Sequence, residues 1–276
     1  MTQHRLSATS PAEGFQGARG LSRILRRPRR PAFGRIFWAV VLTWLLAAAS
    51  SASPGAADQQ QKLNALLGEM ESSYATLNDY TAIFRKRQRI GKSEIYDERM
   101  YVKFQKPFKV YLKWLDELRE ALYVAGEYDN KVLVHYKGLF GMTTSFFNPE
   151  NALVMHNNRH PITKIGFGFI FGIMKNDFAI AKQYDELEII KIGDDIFDGR
   201  PSIIIDARFT PHEGRKYYSP HIISQVDKEF MVPVSISCYD ANGEFQEQYS
   251  YENVKRNPGL SDIEFSKDNK AYNFQR

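Results

Sequence analysis

Residues 80–137 alternate between apolar and polar side chains with a period of two, broken only at short turn-forming stretches. That period belongs to extended chain, where successive side chains point to opposite faces. Residues 80–90 and 93–104 meet at Gly91-Lys92 in the manner of a hairpin. In the second of these, Met100, Val102 and Phe104 point one way while Arg99, Tyr101 and Lys103 point the other. After the break at Pro107, Val110, Leu112 and Trp114 alternate with Lys109, Tyr111 and Lys113, and residues 119–128 and 131–137 flank the turn pair Asp129-Asn130. Strands joined this closely predict an antiparallel meander with one dry face and one wet face.

The flanking segments supply what the dry face needs. Leu63, Leu66, Leu67, Met70, Tyr74 and Leu77 recur every three or four residues, which predicts a covering helix that ends before Asn78-Asp79. Residues 138–163 read as a long connection broken by Gly141, Asn148-Pro149 and Pro161, and carrying Leu139, Phe140, Met142, Phe146 and Phe147. The run 165–174 is apolar, spaced by Gly166, Gly168 and Gly172, and leads into a more helical stretch to 187. It reads as a helix across the sheet or as a mobile hydrophobic lid. Strands resume at 188–192, 201–207, 222–227, 231–239 and 245–254, the last two joined by the Asn242-Gly243 turn.

Helix, long meander, helical insertion at about 138–187 and a second run of strands together resemble the bacterial periplasmic lipoprotein carriers and outer-membrane lipoprotein receptors. The likeness is carried by Tyr80-Thr-Ala-Ile-Phe84, by Met100-Tyr-Val-Lys-Phe104 ahead of Pro107-Phe-Lys-Val-Tyr111, and by Glu127-Tyr-Asp-Asn-Lys-Val132. Asn158-Arg-His-Pro-Ile-Thr163 with the glycine-spaced run after it is more particularly similar to an uncharacterised family of exported domains within that superfamily. The resemblance implies an α+β fold over residues 58–276: one half-open antiparallel β-barrel covered by helices, with a hydrophobic cavity for acyl chains.

Charge separates the start of the chain from the rest. Of 276 residues, 37 are Lys or Arg and 32 are Asp or Glu, a net charge of +5; eight arginines and one acid precede Asp58, so the remainder holds 29 basic and 31 acidic residues. A body without net positive charge lacks the field that nucleic-acid binding requires. The arginine-rich flank is followed by an apolar stretch at 36–49, then by Ser50-Ser-Ala52 and Gly55-Ala-Ala57. Residues 1–57 are therefore expected to be an export signal to the periplasm, cleaved near Ala52 or Ala57, with an uncleaved membrane anchor as the alternative. The lone Cys238 can form no internal disulfide and reads as a buried strand residue.

Reaction chemistry is sparse in the sequence. No Gly-x-Ser-x-Gly, P-loop or dinucleotide fingerprint is present, and no cofactor is expected. His156 and His160 have a zinc-compatible spacing but lack the glutamate of His-Glu-x-x-His, and Pro161 opposes a continuing helix. Arg85-Lys-Arg-Gln-Arg89 reads as an exposed strand or as a contact for anionic head groups. The expected function is non-catalytic binding of a lipid, acyl chain or lipidated protein. The cavity wall would be Phe84, Met100, Val102, Phe104, Val110, Leu112 and Trp114, with Arg159 and His160 either holding a polar head while its tail lies on Phe167, Phe169 and Phe171, or bonding loop carbonyls and fixing the insertion to the barrel. A membrane surface or other envelope proteins are the further partners to be expected. An envelope protein-interaction module, in which the sheet is plain core, is the alternative, and a hydrolase stands behind both.

Overall fold

The computed structural model describes residues 54–91, 94–138, 141–212 and 214–274. The expected export segment and its alternative anchor at 36–49 lie outside these residues. Helix α1 (Pro54–Ala75) buries Leu63, Leu66 and Met70 at helical spacing and delivers the chain to β1 (Asp79–Ile90). The junction is fixed by Asn257, whose side-chain oxygen accepts the backbone N–H groups of Asn78 and Asp79 at 2.8 and 3.3 Å.

The meander continues through β2 (Glu94–Gln105), β3 (Lys109–Trp114), β4 (Glu120–Val124), β5 (Val132–Gly138) and β6 (Gly141–Phe147). After α2 (Ala152–Met155) and α3 (Phe167–Gln183) come β7 (Leu187–Phe197), β8 (Arg200–Phe209), β9 (His221–Asp227), β10 (Pro233–Tyr239) and β11 (Phe245–Arg256). All eleven strands form one sheet in the order β6-β5-β4-β3-β2-β1-β11-β10-β9-β8-β7. Every pairing is antiparallel, and the two meanders join where β1 pairs with β11. β6 and β7 are the free edges, so the curved sheet is a half-open barrel and the fold is α+β.

The connection between those edges carries α3 over the concave face. Phe167, Ile170, Phe171, Met174, Phe178 and Ala181 are buried there, so the apolar run 165–174 begins a core helix. Two glycines permit this approach. Gly166 has φ +105°, and a Cβ there would lie 3.0 Å from the Tyr80 hydroxyl; a Cβ on Gly168 would stand 2.2 Å from the Tyr74 hydroxyl on α1. The Tyr251 hydroxyl accepts the Gly166 N–H at 2.7 Å, which satisfies a donor at the helix entrance. Tyr80 stacks on Phe167 and Phe104 with ring centroids 4.2 and 5.2 Å apart.

Two sequence expectations are corrected. The segment read as a long loop from 138 contains β6, an edge strand fully paired with β5. Tyr111, assigned to a wet face, is buried. Its parity with Lys109 and Lys113 holds, but the C-terminal segment folds back over the convex face and covers Tyr111, Leu122, Val124 and Leu133 with Phe265, Tyr272 and Phe274. Tyr111 and Tyr272 stack at 3.9 Å. The sheet is therefore dry on both sides of β3 to β5.

Candidate functional site

Strand parity on β1 sends Tyr80, Ala82, Phe84, Lys86 and Gln88 to the concave side, all buried, while Arg85, Arg87 and Arg89 face outward. The basic run 85–89 is thus divided between two faces of a central strand. Arg85 pairs outside with Asp97 at 2.6 Å. Lys86 and Gln88 enter a cavity of about 660 Å³ whose floor is the concave face of β1 to β6 and whose roof is the segment from Pro149 to Ile165. Phe84, Met100, Leu112, Trp114, Ala121, Val132, Val134 and Phe147 make the floor apolar, and Leu153, Val154, Pro161, Ile162 and Ile165 make the roof so. The space exists because of its cover. α2 and the 3-10 turn Ile162–Lys164 contain no buried residue, whereas α3 presses a full apolar face onto the neighbouring sheet.

One wall of the cavity is a chain of alternating charges. Lys86 and its cross-strand partner Glu98 form an ion pair at 2.5 Å, Arg119 bonds Glu98 and also Glu117 at 2.6 Å, and Asn158 accepts a hydrogen bond from the Lys86 ammonium. The Arg119 guanidinium lies 3.9 Å over the Trp114 ring. Burial lowers the Lys86 pKa from its ordinary value. Burial pushes Glu98 up, but Lys86 and Arg119 outweigh it and hold the carboxyl below the usual range.

A second polar cluster fastens the roof to β11. The Glu247 side chain, 3% exposed, accepts from Arg159 Nε at 2.9 Å, from the Tyr249 hydroxyl at 3.0 Å and from the Tyr218 hydroxyl, and lies 3.2 Å from His160 Nε2. The Arg159 backbone N–H donates to Gln88 Oε1 at 3.2 Å. Burial raises the Glu247 carboxyl, yet the hydrogen bonds from His160 and Tyr218 and the charge on Arg159 hold it below its ordinary value. Burial and the Glu247 charge push the Tyr218 phenol upward.

The residues expected in a binding site fall into three groups. Phe84, Met100, Leu112, Trp114 and His160 line the cavity. Val102, Phe104, Val110, Phe167 and Phe171 belong to the closed core, where the chain itself fills the space. Arg159 is 36% exposed and bound to Glu247, outside the lining, and half-buried Phe169 stands beside the His160 ring in a shallow groove with Tyr217 and Tyr218. Sequence reasoning missed Lys86 and Gln88, although both share the parity of Phe84. It also missed Glu247, which has the parity of Tyr249 and Tyr251 on β11. Among the described residues no group of three or more His, Cys, Asp or Glu side chains could hold a metal ion, and no helix is long and apolar enough to cross a membrane.

No curated protein matches the chain. Similar solved structures include MucB, at 12% identity and TM-score 0.43 over 75% of this chain and 62% of that one. The Pseudomonas aeruginosa MucA/MucB complex is similar at 11% identity and TM-score 0.40, over 74% of this chain and 60% of that one. Lipoprotein LppX of Mycobacterium tuberculosis is similar at 14% identity and TM-score 0.41, over 73% of this chain and 98% of that one. The chain spans about six tenths of the length of the MucB chains it matches. Residues 77–274 match the family described as Protein of unknown function (DUF1571), and the chain belongs to that family.

Proposed function

We propose that this chain is a non-catalytic binding protein of the cell envelope that holds the acyl part of a lipid or lipidated protein in the cavity beneath β1 to β6. The observation that carries the reading is the cavity: about 660 Å³, floored and roofed largely by apolar side chains, with Lys86, Glu117 and Arg119 gathered on one wall and Lys164 in the roof. Its size lies in the range of about 300–1,000 Å³ in which small-molecule pockets fall, and an apolar lining with few polar groups suits a chain-like ligand with a polar end. Of the two imidazoles that line the cavity, His156 and His160, the latter is committed to Glu247 and Tyr218, an arrangement that fastens the roof. Placement in the envelope rests on the arginine-rich flank and the apolar stretch at 36–49. Amino-terminal sequencing from the native host should begin near Ser53 or Asp58; a protein that retains Met1 would instead be anchored.

Native mass spectrometry of the full chain purified from host membranes tests the binding reading. It should reveal a non-covalent adduct that organic extraction releases as a fatty-acyl compound. Protein that is uniformly free of adduct, and that takes up none when mixed with fatty-acyl compounds, would overturn the reading in favour of a protein-interaction module.

A further inference from the structure

We infer that the amphiphile accommodated by the cavity carries a negative charge at its head, paired by Lys164; this rests on the acyl-binding reading above. The inference comes from the state of each charged group in the lining. Lys86 is neutralised by Glu98, and Arg119 by Glu98 and Glu117. Lys164 is the remaining charged lining residue; its backbone N–H donates to the Pro161 carbonyl, and its ammonium has no ion-pair or hydrogen-bond partner among the described residues. It closes the 3-10 turn Ile162–Lys164, between Ile162 and Ile165 of the cavity roof, and is exposed, which places it at the mouth. A lysine at such a border lays its methylenes on apolar surface and keeps its ammonium in water.

A ligand whose tail fills the apolar interior brings its head to this border. A cationic head would meet no unpaired carboxylate in the lining, since Glu117 is held by Arg119. A neutral head would gain no ion pair with Lys164. An anionic head gains that pair, and a long-chain carboxylate or a lipid with one phosphodiester both supply the charge.

Titration calorimetry of the full chain, below the critical micelle concentration of each probe, tests the assignment with oleate, oleoyl lysophosphatidylglycerol, monoolein and oleylamine. At least one anionic probe should bind roughly three- to fivefold more tightly than monoolein, as befits one border ion pair, with oleylamine weakest. The better anionic probe identifies carboxylate or phosphodiester as the source. Lys164→Gln should bring the anionic probe to within about twofold of monoolein and leave monoolein unchanged, and raising the salt should erode the same advantage in the parent protein. Equal binding of anionic, neutral and cationic probes, or an equal loss of monoolein in Lys164→Gln, would overturn the charge assignment while leaving acyl binding intact. Failure of all four probes to bind would overturn both.

Discussion

The two halves of the concave face are built from the same kind of strand and finish differently. Beneath α1 and α3, the strands β8, β9 and β10 bury Ile205, Ala207, Phe209, Ile222, Val226, Val234 and Ile236 against Phe178, Ala181 and the leucines of α1, and the interior is filled. Beneath residues 149–165, strands β1 to β6 offer a largely apolar face to a cover in which α2 and the 3-10 turn bury nothing and Ile165 alone reaches the core, and a cavity of about 660 Å³ is left. The lesson is that side-chain alternation decides which face is apolar, while the covering element decides whether that face becomes core or binding site. A long amphipathic helix fills the space, and a short irregular segment held by polar contacts spans it.

The largest expected effect falls where the roof is secured. Glu247→Ala would leave Arg159, His160, Tyr218 and Tyr249 without their shared acceptor, and breaking a buried ionic cluster costs about 3–5 kcal/mol, read as a lower denaturant midpoint. The same residue sets an acid limit. Its pKa in the folded protein is depressed below the ordinary 4.5, so its contribution to stability is complete above about pH 4.5 and is lost as the pH falls through the depressed value. Thermal melts should be steeper with pH below 4.5 in the parent protein than in Glu247→Gln. A fall of the same steepness in both would assign acid sensitivity elsewhere.

A matched pair of enlargements sharpens the comparison. Ala207 on β8 and Ala121 on β4 are both buried on the concave face, but only Ala121 lines the cavity. Ala207→Phe should cost about 1–3 kcal/mol through overpacking. Ala121→Phe should cost less than about 0.5 kcal/mol or stabilise, and should abolish the amphiphile adduct by occupying the space. Equal destabilisation by the two would mean that the halves do not differ. The smallest effect is expected at Leu153, 73% exposed on α2, where Leu153→Ala should change stability by no more than about 0.5 kcal/mol in a chemical denaturation curve.

Much of this architecture was legible in the alternation itself. Strand parity identified Phe84, Met100, Leu112 and Trp114 as concave residues, and helical spacing identified the face of α1. The same parity could not separate these residues from Val102, Phe104 and Val110, because core and cavity wall share one pattern and differ only in what lies above them. β6 was hidden by Gly141 at its start and Asn148-Pro149 after its end, which read as loop. Tyr111 looked solvent-facing because its cover comes from Tyr272, far along the chain. The partnership of Arg159 with Glu247 spans 88 positions and leaves no local trace. Arg159 and His160 were recognisable as distinctive, but their partner was not.

The central claim is that the space beside Trp114 receives an acyl chain. Quenching of Trp114 emission by dibromostearate measures this directly, because bromine quenches an indole only near contact, and Trp114→Phe accounts for emission from Trp38 and Trp44. Saturable quenching that disappears in Trp114→Phe and in Ala121→Phe is the result the account predicts. Quenching of equal depth in the parent protein and in Trp114→Phe, or none at any concentration below the micellar limit, would contradict it.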